Sequence, residues 1–245
     1  MNGGLATHEA VEEVVSSAAM EDATNYFRWQ LDMLGEHVGP RVLEVGCGAG
    51  GFTRALLGRE RVVSVDSNPR MIERLRGLLA DHQEWRGVVA DLTDPSFAEA
   101  ARAYRCDSLA ALNVIEHIEN DEEALAALRG ALPAGGTAAV LVPAHDWLYS
   151  RFDADAGHFR RYTSQELEQK LVLAGFSVDR VAYFNMVGAL GWLCVYRLGG
   201  LRGARGTTRG LVGFFDRFLV PVARGLERLV TPPFGISVVG LATAR

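Results

Sequence analysis

The stretch VLEVGCGAGG, residues 42–51, decides how the rest of the chain is read. RVLEVG (41–46) has the apolar, β-branched character of a strand, and GFTRALLG, from Gly51 on, has that of a helix. The glycines between them permit positive φ and let backbone N–H groups approach a ligand with no side chain in the way. Twenty-two residues after Glu44, Asp66 ends a second strand, RVVSVD (61–66), where a carboxylate can accept both hydroxyls of a ribose. Gly46, Gly48 and Gly51 also satisfy G-x-G-x-x-G, so a dinucleotide reading stands beside any other nucleoside.

Working outward, strands and helices alternate. PRMIERLRGLLADH opens with Pro69 at a favoured first-turn position, EWRGVVA (84–90) is a third strand, and Asp94-Pro95 starts a short helix to about Tyr104. CDSLAALN (106–113) and GGTAAVLVP (135–143) flank the helix DEEALAALRGAL. Thr163–Glu166 is a capping box ahead of a helix to Ala174, and FSVDRVAYF is a sixth strand. Before the glycine stretch, residues 20–38 read as an amphipathic helix, and residues 1–19 as a flexible start. Such alternation implies an α/β, doubly wound, mostly parallel sheet with ligands beyond the carboxyl ends of the strands. With no repeat and no long polar linker, residues 1–245 read as one domain.

Composition narrows the function. The chain has 245 residues, 49% hydrophobic and 22% charged, enough for one core that buries about three quarters of the unfolded surface. Three separated cysteines without a C-x-x-C pair argue against a disulfide framework or a cysteine zinc site and suggest a reduced, cytoplasmic setting. The acidic start lacks a signal-peptide pattern, and no run of eighteen apolar residues exists to span a bilayer. A net charge of −5 disfavours nucleic acid. Residues 197–228 are the exception, with seven arginines against Asp216 and Glu227.

Three features speak against the dinucleotide. Glu44 would repel a pyrophosphate and welcome an ammonium group. Asp91-Leu92 ends the third strand where an adenine amino group and ring face could be met, and the fourth strand runs into the polar cluster NVIEHI (113–118). Hydride transfer of the Tyr-x-x-x-Lys type is excluded, because the only lysine is Lys170 and Glu166 stands where its tyrosine would.

VLEVGCGAG (42–50), VVSVD (62–66), VVADL (88–92), LNVIEHIEND (112–121) and LPAGGTAAVLVP (132–143) together resemble the class I S-adenosylmethionine-dependent methyltransferases, over about residues 20–185. That resemblance implies a Rossmann-like sheet of seven strands with the last antiparallel, and S-adenosylmethionine as cofactor. It implies that Glu44 anchors the methionine end through the loop formed by Gly46 and Gly48. Asp66 would bind the ribose with Ser67 beside it, Asp91 and Leu92 would flank adenine, and Asn113 would face the methionine moiety. Tyr26 would close over the cofactor. No metal is expected, since the acids Glu116, Glu119, Asp121 and Glu122 read as a solvated helix start.

The acceptor side is read from residues 143–163, a loop without clear periodicity that contains GHFRRYT. His158 and Tyr162 are candidates for general base or acceptor contact, and so is His117. The alternative is that His158, Arg160 and Arg161 tie the loop down to Asp153 and Asp155. Residues 186–232 intervene before a last strand, GISVVGLAT (235–243), as a helical insertion. Leu211, Phe215, Phe218, Val222, Leu226 and Leu229 fall at helical spacing opposite Arg217, Arg224 and Arg228, with Pro221 as a candidate kink. The insertion could serve as a lid, as extra core or dimer interface, or as a membrane-surface contact, with the lid preferred. The function expected is methyl transfer to a small, partly apolar acceptor, aromatic or of secondary-metabolite type, by a monomer or homodimer. A lipid-linked or quinone-like acceptor, and cofactor binding without catalysis, are the alternatives.

Overall fold

The computed structural model describes residues 20–194 and 209–245. Expectations for residues 1–19 and for the basic connection 199–208 lie outside these. The described chain runs α1 (Thr24–Leu34), β1 (Arg41–Val45), α2 (Gly51–Leu56), β2 (Arg61–Asp66), α3 (Pro69–Leu78), β3 (Trp85–Val89) and α4 (Phe97–Arg102). It continues with β4 (Ser108–Leu112), α5 (Asp121–Ala131), β5 (Thr137–Pro143), α6 (Arg151–Asp155), α7 (Ser164–Leu173) and β6 (Phe176–Phe184). Then come α8 (Met186–Trp192), α9 (Arg209–Phe214), a π-helical turn (Phe215–Leu219), α10 (Val220–Leu229) and β7 (Ser237–Ala244).

The strands form one sheet in the order β3-β2-β1-β4-β5-β7-β6. β1 to β5 are parallel, and β7 runs antiparallel to both β5 and β6. Alternation along the strands sorts the core onto two faces. Leu43, Val63 and Leu109 pack with Leu125 and Leu128 of α5 and with Leu167 and Leu171 of α7. Val42, Val62 and Ala110 pack on the other face with Trp29 of α1, Phe52 of α2, and Val220 and Ala223 of α10. Order reverses at β1, which has β2 on one side and β4 on the other, so the crevice for a ligand opens beyond the ends of β1 and β4.

The ends of several helices are fixed where the sequence signals put them. Asn68 accepts from the Arg70 N–H (3.0 Å) ahead of Pro69, and Thr163 and Glu166 form their reciprocal capping box. Residues 143–163 hold more structure than expected. Ser150 and Asp153 make a second capping box that starts α6. The first helix is shorter than the periodicity suggests, since Gly35 (φ 54°) ends it and a 3₁₀ turn follows.

The described part of the insertion is helical, and its acids find partners that sequence spacing does not show. Ala23, at the cap position of α1, has no side chain to accept the first amides. Asp216 does so from across the molecule, with Oδ1 accepting from Tyr26 N–H (2.8 Å) and Oδ2 from Asn25 N–H (3.2 Å). Glu227 likewise accepts from the N–H groups of Asn185 and Met186 (3.2 and 2.6 Å) at the start of α8. The two acids of the arginine-rich segment therefore cap two helices. Their inward pull sets the face of α10: Asp216, Val220 and Ala223 are buried, whereas Phe218, Val222, Leu226 and Leu229 are exposed. The wide turn at 215–219 absorbs the entry of Pro221, which has no N–H to give to an ordinary turn. Among the described residues no helix is long and apolar enough to cross a membrane.

Candidate functional site

At the crevice, the chain leaves β1 through Gly46 (φ 75°), Gly48 (φ 49°) and Gly50 (φ 84°). Two of these positions have no room for a side chain. A Cβ on Gly46 would lie 2.3 Å from Val114 Cγ2, and one on Gly50 2.2 Å from Leu75 Cδ2. The loop is thereby pressed between the turn after β4 and helix α3. The N–H groups of Gly46 and Cys47 donate to Val65 O (2.8 and 3.1 Å), which carries the β1–β2 ladder past the end of the strand.

Asp66 meets this loop from the end of β2. Its Oδ2 accepts from Gly48 N–H (2.8 Å) and its Oδ1 from Asn68 N–H (2.9 Å), and the side chain stays part-exposed. Each carboxylate oxygen keeps capacity for another donor. Ser67 is exposed beside it. At the end of β3, Asp91 is exposed, with Oδ1 accepting from Thr93 N–H and Oγ1–H (both 2.8 Å), while Leu92 is buried. Asn113 (φ 55°) is exposed at the end of β4 and donates its N–H to Leu141 O (2.8 Å). Gly46, Gly48, Asp66, Ser67, Asp91, Leu92 and Asn113 thus lie along the carboxyl ends of four adjacent parallel strands.

Glu44 acts from beneath. It is 3% exposed, and its Oε2 accepts from Thr53 Oγ1–H (2.7 Å) and Ser64 Oγ–H (2.6 Å), tying α2 to β2 under the loop. Burial pushes its carboxyl up to about 7 against the pull of those two hydroxyls, with Asp66 adding to the rise. Its reach toward a ligand runs through Thr53 and α2.

Two expected residues are placed differently. Tyr26 packs among Trp29, Phe184 and Phe215, with ring centroids 5.8–6.4 Å away, and burial pushes its hydroxyl up to about 12 despite hydrogen bonding with Asn185 and Gln30. One residue on, Phe27 lies over the loop instead: a Cβ on Gly51 would sit 2.2 Å from its Cε2. Neighbours on a helix are about 100° apart, so it is Phe27, and not the Tyr26 that the resemblance implied, that packs against Gly51. Tyr162 is 1% exposed, and its hydroxyl donates to Asp121 Oδ2 (2.8 Å), with Arg160 and Lys170 on the same carboxylate. It is a core tyrosine held by the Ala144–Tyr162 bridge, with no face toward an acceptor.

The structure brings His117 and His158 together, with ring centroids 4.6 Å apart and planes at 86°. His158 Nδ1 lies 3.1 Å from Asp153 Oδ1. Asp153 is fully buried and also holds Ser150 N–H (2.8 Å), Ser150 Oγ (3.0 Å) and the Arg161 guanidinium (2.8 Å). The tie to Asp153 thus holds for His158 and Arg161, while Arg160 goes to Asp121 and Asp155 to Arg151.

Glu116, read from the sequence as a solvated acid, is wholly buried in the 3₁₀ turn Ile115–His117, and neither of its carboxylate oxygens has a hydrogen-bond partner. Burial pushes it up to about 8, which the Arg161 charge opposes. Asp121, from the same group of acids, is buried under Tyr162, Arg160 and Lys170, while Glu119 and Glu122 stay exposed. Nothing in the spacing of NVIEHI marks Glu116 as inward. The positive φ at Asn113 and the tight turn after it fold the chain back under itself.

The profile of a family described as a methyltransferase domain matches residues 19–181. No curated protein matches the chain. Among solved structures, one similar chain comes from the complex of the Haloferax volcanii Trm112 methyltransferase activator with a methyltransferase. It is 17% identical, at TM-score 0.64 over 94% of this chain and 93% of that one. A geranyl diphosphate methyltransferase solved with its methyl donor is 15% identical, at TM-score 0.59 over 89% and 85%. The N-methyltransferase NodS of Bradyrhizobium japonicum, solved with S-adenosyl-L-homocysteine, is 15% identical, at TM-score 0.54 over 89% and 85%. These likenesses are likenesses of fold.

Proposed function

The chain belongs to the methyltransferase-domain family and is an S-adenosylmethionine-dependent methyltransferase; from that premise we propose that it methylates a small, partly apolar acceptor. The observation that carries the reading is the glycine loop pressed against the turn after β4, with Asp66 at the adjacent strand end. When bound, the cofactor supplies an activated methyl group on a sulfonium, so the chain's task is to bind, align and exclude water. Asp66 accepts the ribose hydroxyls while its bonds to Gly48 and Asn68 fix its orientation. Ser67 stands beside it, Asp91 and Leu92 meet the adenine, and Asn113 faces the methionine end. Glu44 is a positioning residue for the loop, and Phe27 covers it. On the acceptor side stand His117 and His158, and the exposed rings of Trp147 and Phe159 with the part-exposed His145 support an apolar, aromatic-compatible acceptor.

Calorimetric titration tests this. S-adenosylmethionine and S-adenosylhomocysteine should bind at micromolar levels and NAD should not. Asp66→Ala should weaken S-adenosylhomocysteine by about ten- to hundredfold, the equivalent of roughly 1–3 kcal/mol for two lost hydrogen bonds. Unchanged affinity in Asp66→Ala, or NAD binding alone, would overturn the pocket. Turnover of any acceptor separates an enzyme from a protein that only binds the cofactor.

One observation favours the lipid-linked or quinone-like acceptor as a second reading. Phe214, Phe218, Val222, Leu226 and Leu229 form an exposed apolar stripe on the insertion, flanked by exposed Arg217 and Arg228. An apolar face bordered by cations suits an anionic lipid surface. The protein should then float with phosphatidylglycerol vesicles and less with phosphatidylcholine, and Phe218→Asp with Leu229→Asp should cut flotation at least about tenfold. Wild-type protein that stays unbound to both vesicle types returns the insertion to a lid or core role.

A further inference from the structure

We propose that Glu116, His117 and His158 form a binding site for one divalent first-row transition-metal ion. One ligand atom from each, a carboxylate oxygen and two ring nitrogens, lies within 4.8 Å of the others. Three observations point to a cation here. First, Glu116 is fully buried and neither oxygen has a hydrogen-bond partner, a costly arrangement for a carboxylate unless a ligand completes it.

Second, Asp153 accepts from His158 Nδ1, so the proton sits on that nitrogen and Nε2 keeps a lone pair to donate. A carboxylate behind an imidazole in this way is the usual support of a metal-binding histidine. Asp153 is itself held by Ser150 and Arg161, so the ring orientation is fixed before any ion arrives.

Third, the His117 ring meets the His158 ring edge to face with centroids 4.6 Å apart, so both imidazoles stand at one place beside Glu116. Arg161 is paired with Asp153, so the Glu116 carboxyl has neither an ion pair nor a hydrogen bond at the cluster.

Two imidazoles and one carboxylate favour zinc, manganese or iron over magnesium or calcium, which take oxygen-rich sets. Donors about 2.1 Å from an ion stand about 3–3.5 Å from one another. Closing from within 4.8 Å to that spacing asks for a turn of the His117 side chain, which is exposed. Three protein ligands leave coordination positions open to water or to an oxygen of an incoming molecule. The site lies two residues from Val114, the residue packed on Gly46, so the ion would sit beside the crevice. With an ion bound, the two histidines ligate and are not free bases.

The test uses the full-length protein, stripped with a chelator and titrated with Co²⁺ by visible absorption and with Zn²⁺ by calorimetry, in the absence of any methyl donor. One equivalent should bind at micromolar levels or tighter, with ligand-field bands of low-symmetry nitrogen and oxygen coordination. Glu116→Gln and His117→Gln should each weaken Co²⁺ by at least about tenfold. His117 is exposed, so its variant reports binding even where the buried change disturbs folding. His82→Gln, a surface imidazole beside Glu84, should bind as the wild type does. Absence of Co²⁺ and Zn²⁺ uptake, or equal affinity in wild type, Glu116→Gln and His117→Gln, would overturn the site. His158 would then be left as a proton acceptor.

Discussion

Asp153→Ala should lower the thermal unfolding midpoint by about 10 °C. The side chain is fully buried and receives Ser150 N–H and Oγ–H, His158 Nδ1–H and the Arg161 guanidinium. Truncating it leaves Arg161, itself 4% exposed, with Ala144 O (3.2 Å) and the face of Trp192 in place of its counter-ion. A buried charge stripped of its partner costs about 3–5 kcal/mol, and each kcal/mol moves the midpoint of a chain this size by about 2–4 °C. Asp155→Ala is the control. Asp155 pairs with Arg151 at 3.5 Å in solvent, a contact with a median worth near zero to 1 kcal/mol. Equal midpoints in the two variants would refute the account.

The second large effect is a pH dependence. The Glu44 carboxyl titrates at about 7 in the fold against 4.5 when free, because burial disfavours its charge. The folded state therefore holds a proton that the unfolded chain releases between pH 4.5 and 7. Stability falls as pH rises through that window and levels off above it, by about 3 kcal/mol in all. Glu44→Gln keeps an oxygen to accept from Thr53 and Ser64 and has no such titration. Urea unfolding of both proteins at pH 5 and pH 8 isolates the effect, because every other group titrates in both. The variant should gain on the wild type at pH 8. A stability difference that is the same at both pH values would show that Glu44 is an ordinary carboxylate.

Much of the fold was legible because its signals are local. Alternating apolar residues gave the strands, and Pro69 and the Thr163–Glu166 box gave helix starts. The strand-end residues from Asp66 to Asn113 were legible for a related reason: in a parallel sheet, the carboxyl end of every strand is the same edge. Helical phase was less legible. Tyr26 and Phe27 are equally aromatic, and only the packing of α1 on α2 decides which one meets Gly51.

The insertion shows the same limit at larger scale. Its apolar residues fall at one helical spacing, which does not say which way the stripe faces; Asp216 and Glu227 find backbone amides on α1 and α8, and Phe218, Val222, Leu226 and Leu229 are exposed. Such contacts span 190 and 41 residues of sequence, beyond any window of periodicity. Glu116 was misread for a comparable reason. Acid-rich helix starts are normally solvated, and the 3₁₀ turn in which it is buried follows a positive φ at Asn113.

The cap that Asp216 places on α1 makes two distant parts of the molecule answer to each other. α1 carries Phe27 over the glycine loop, and its first amides are held by a carboxylate that belongs to the insertion. Fraying of that helix start and release of the insertion are then a single opening event. Whatever stiffens one end slows the breathing of the other, and the exchange of free energy between them runs equally in both directions.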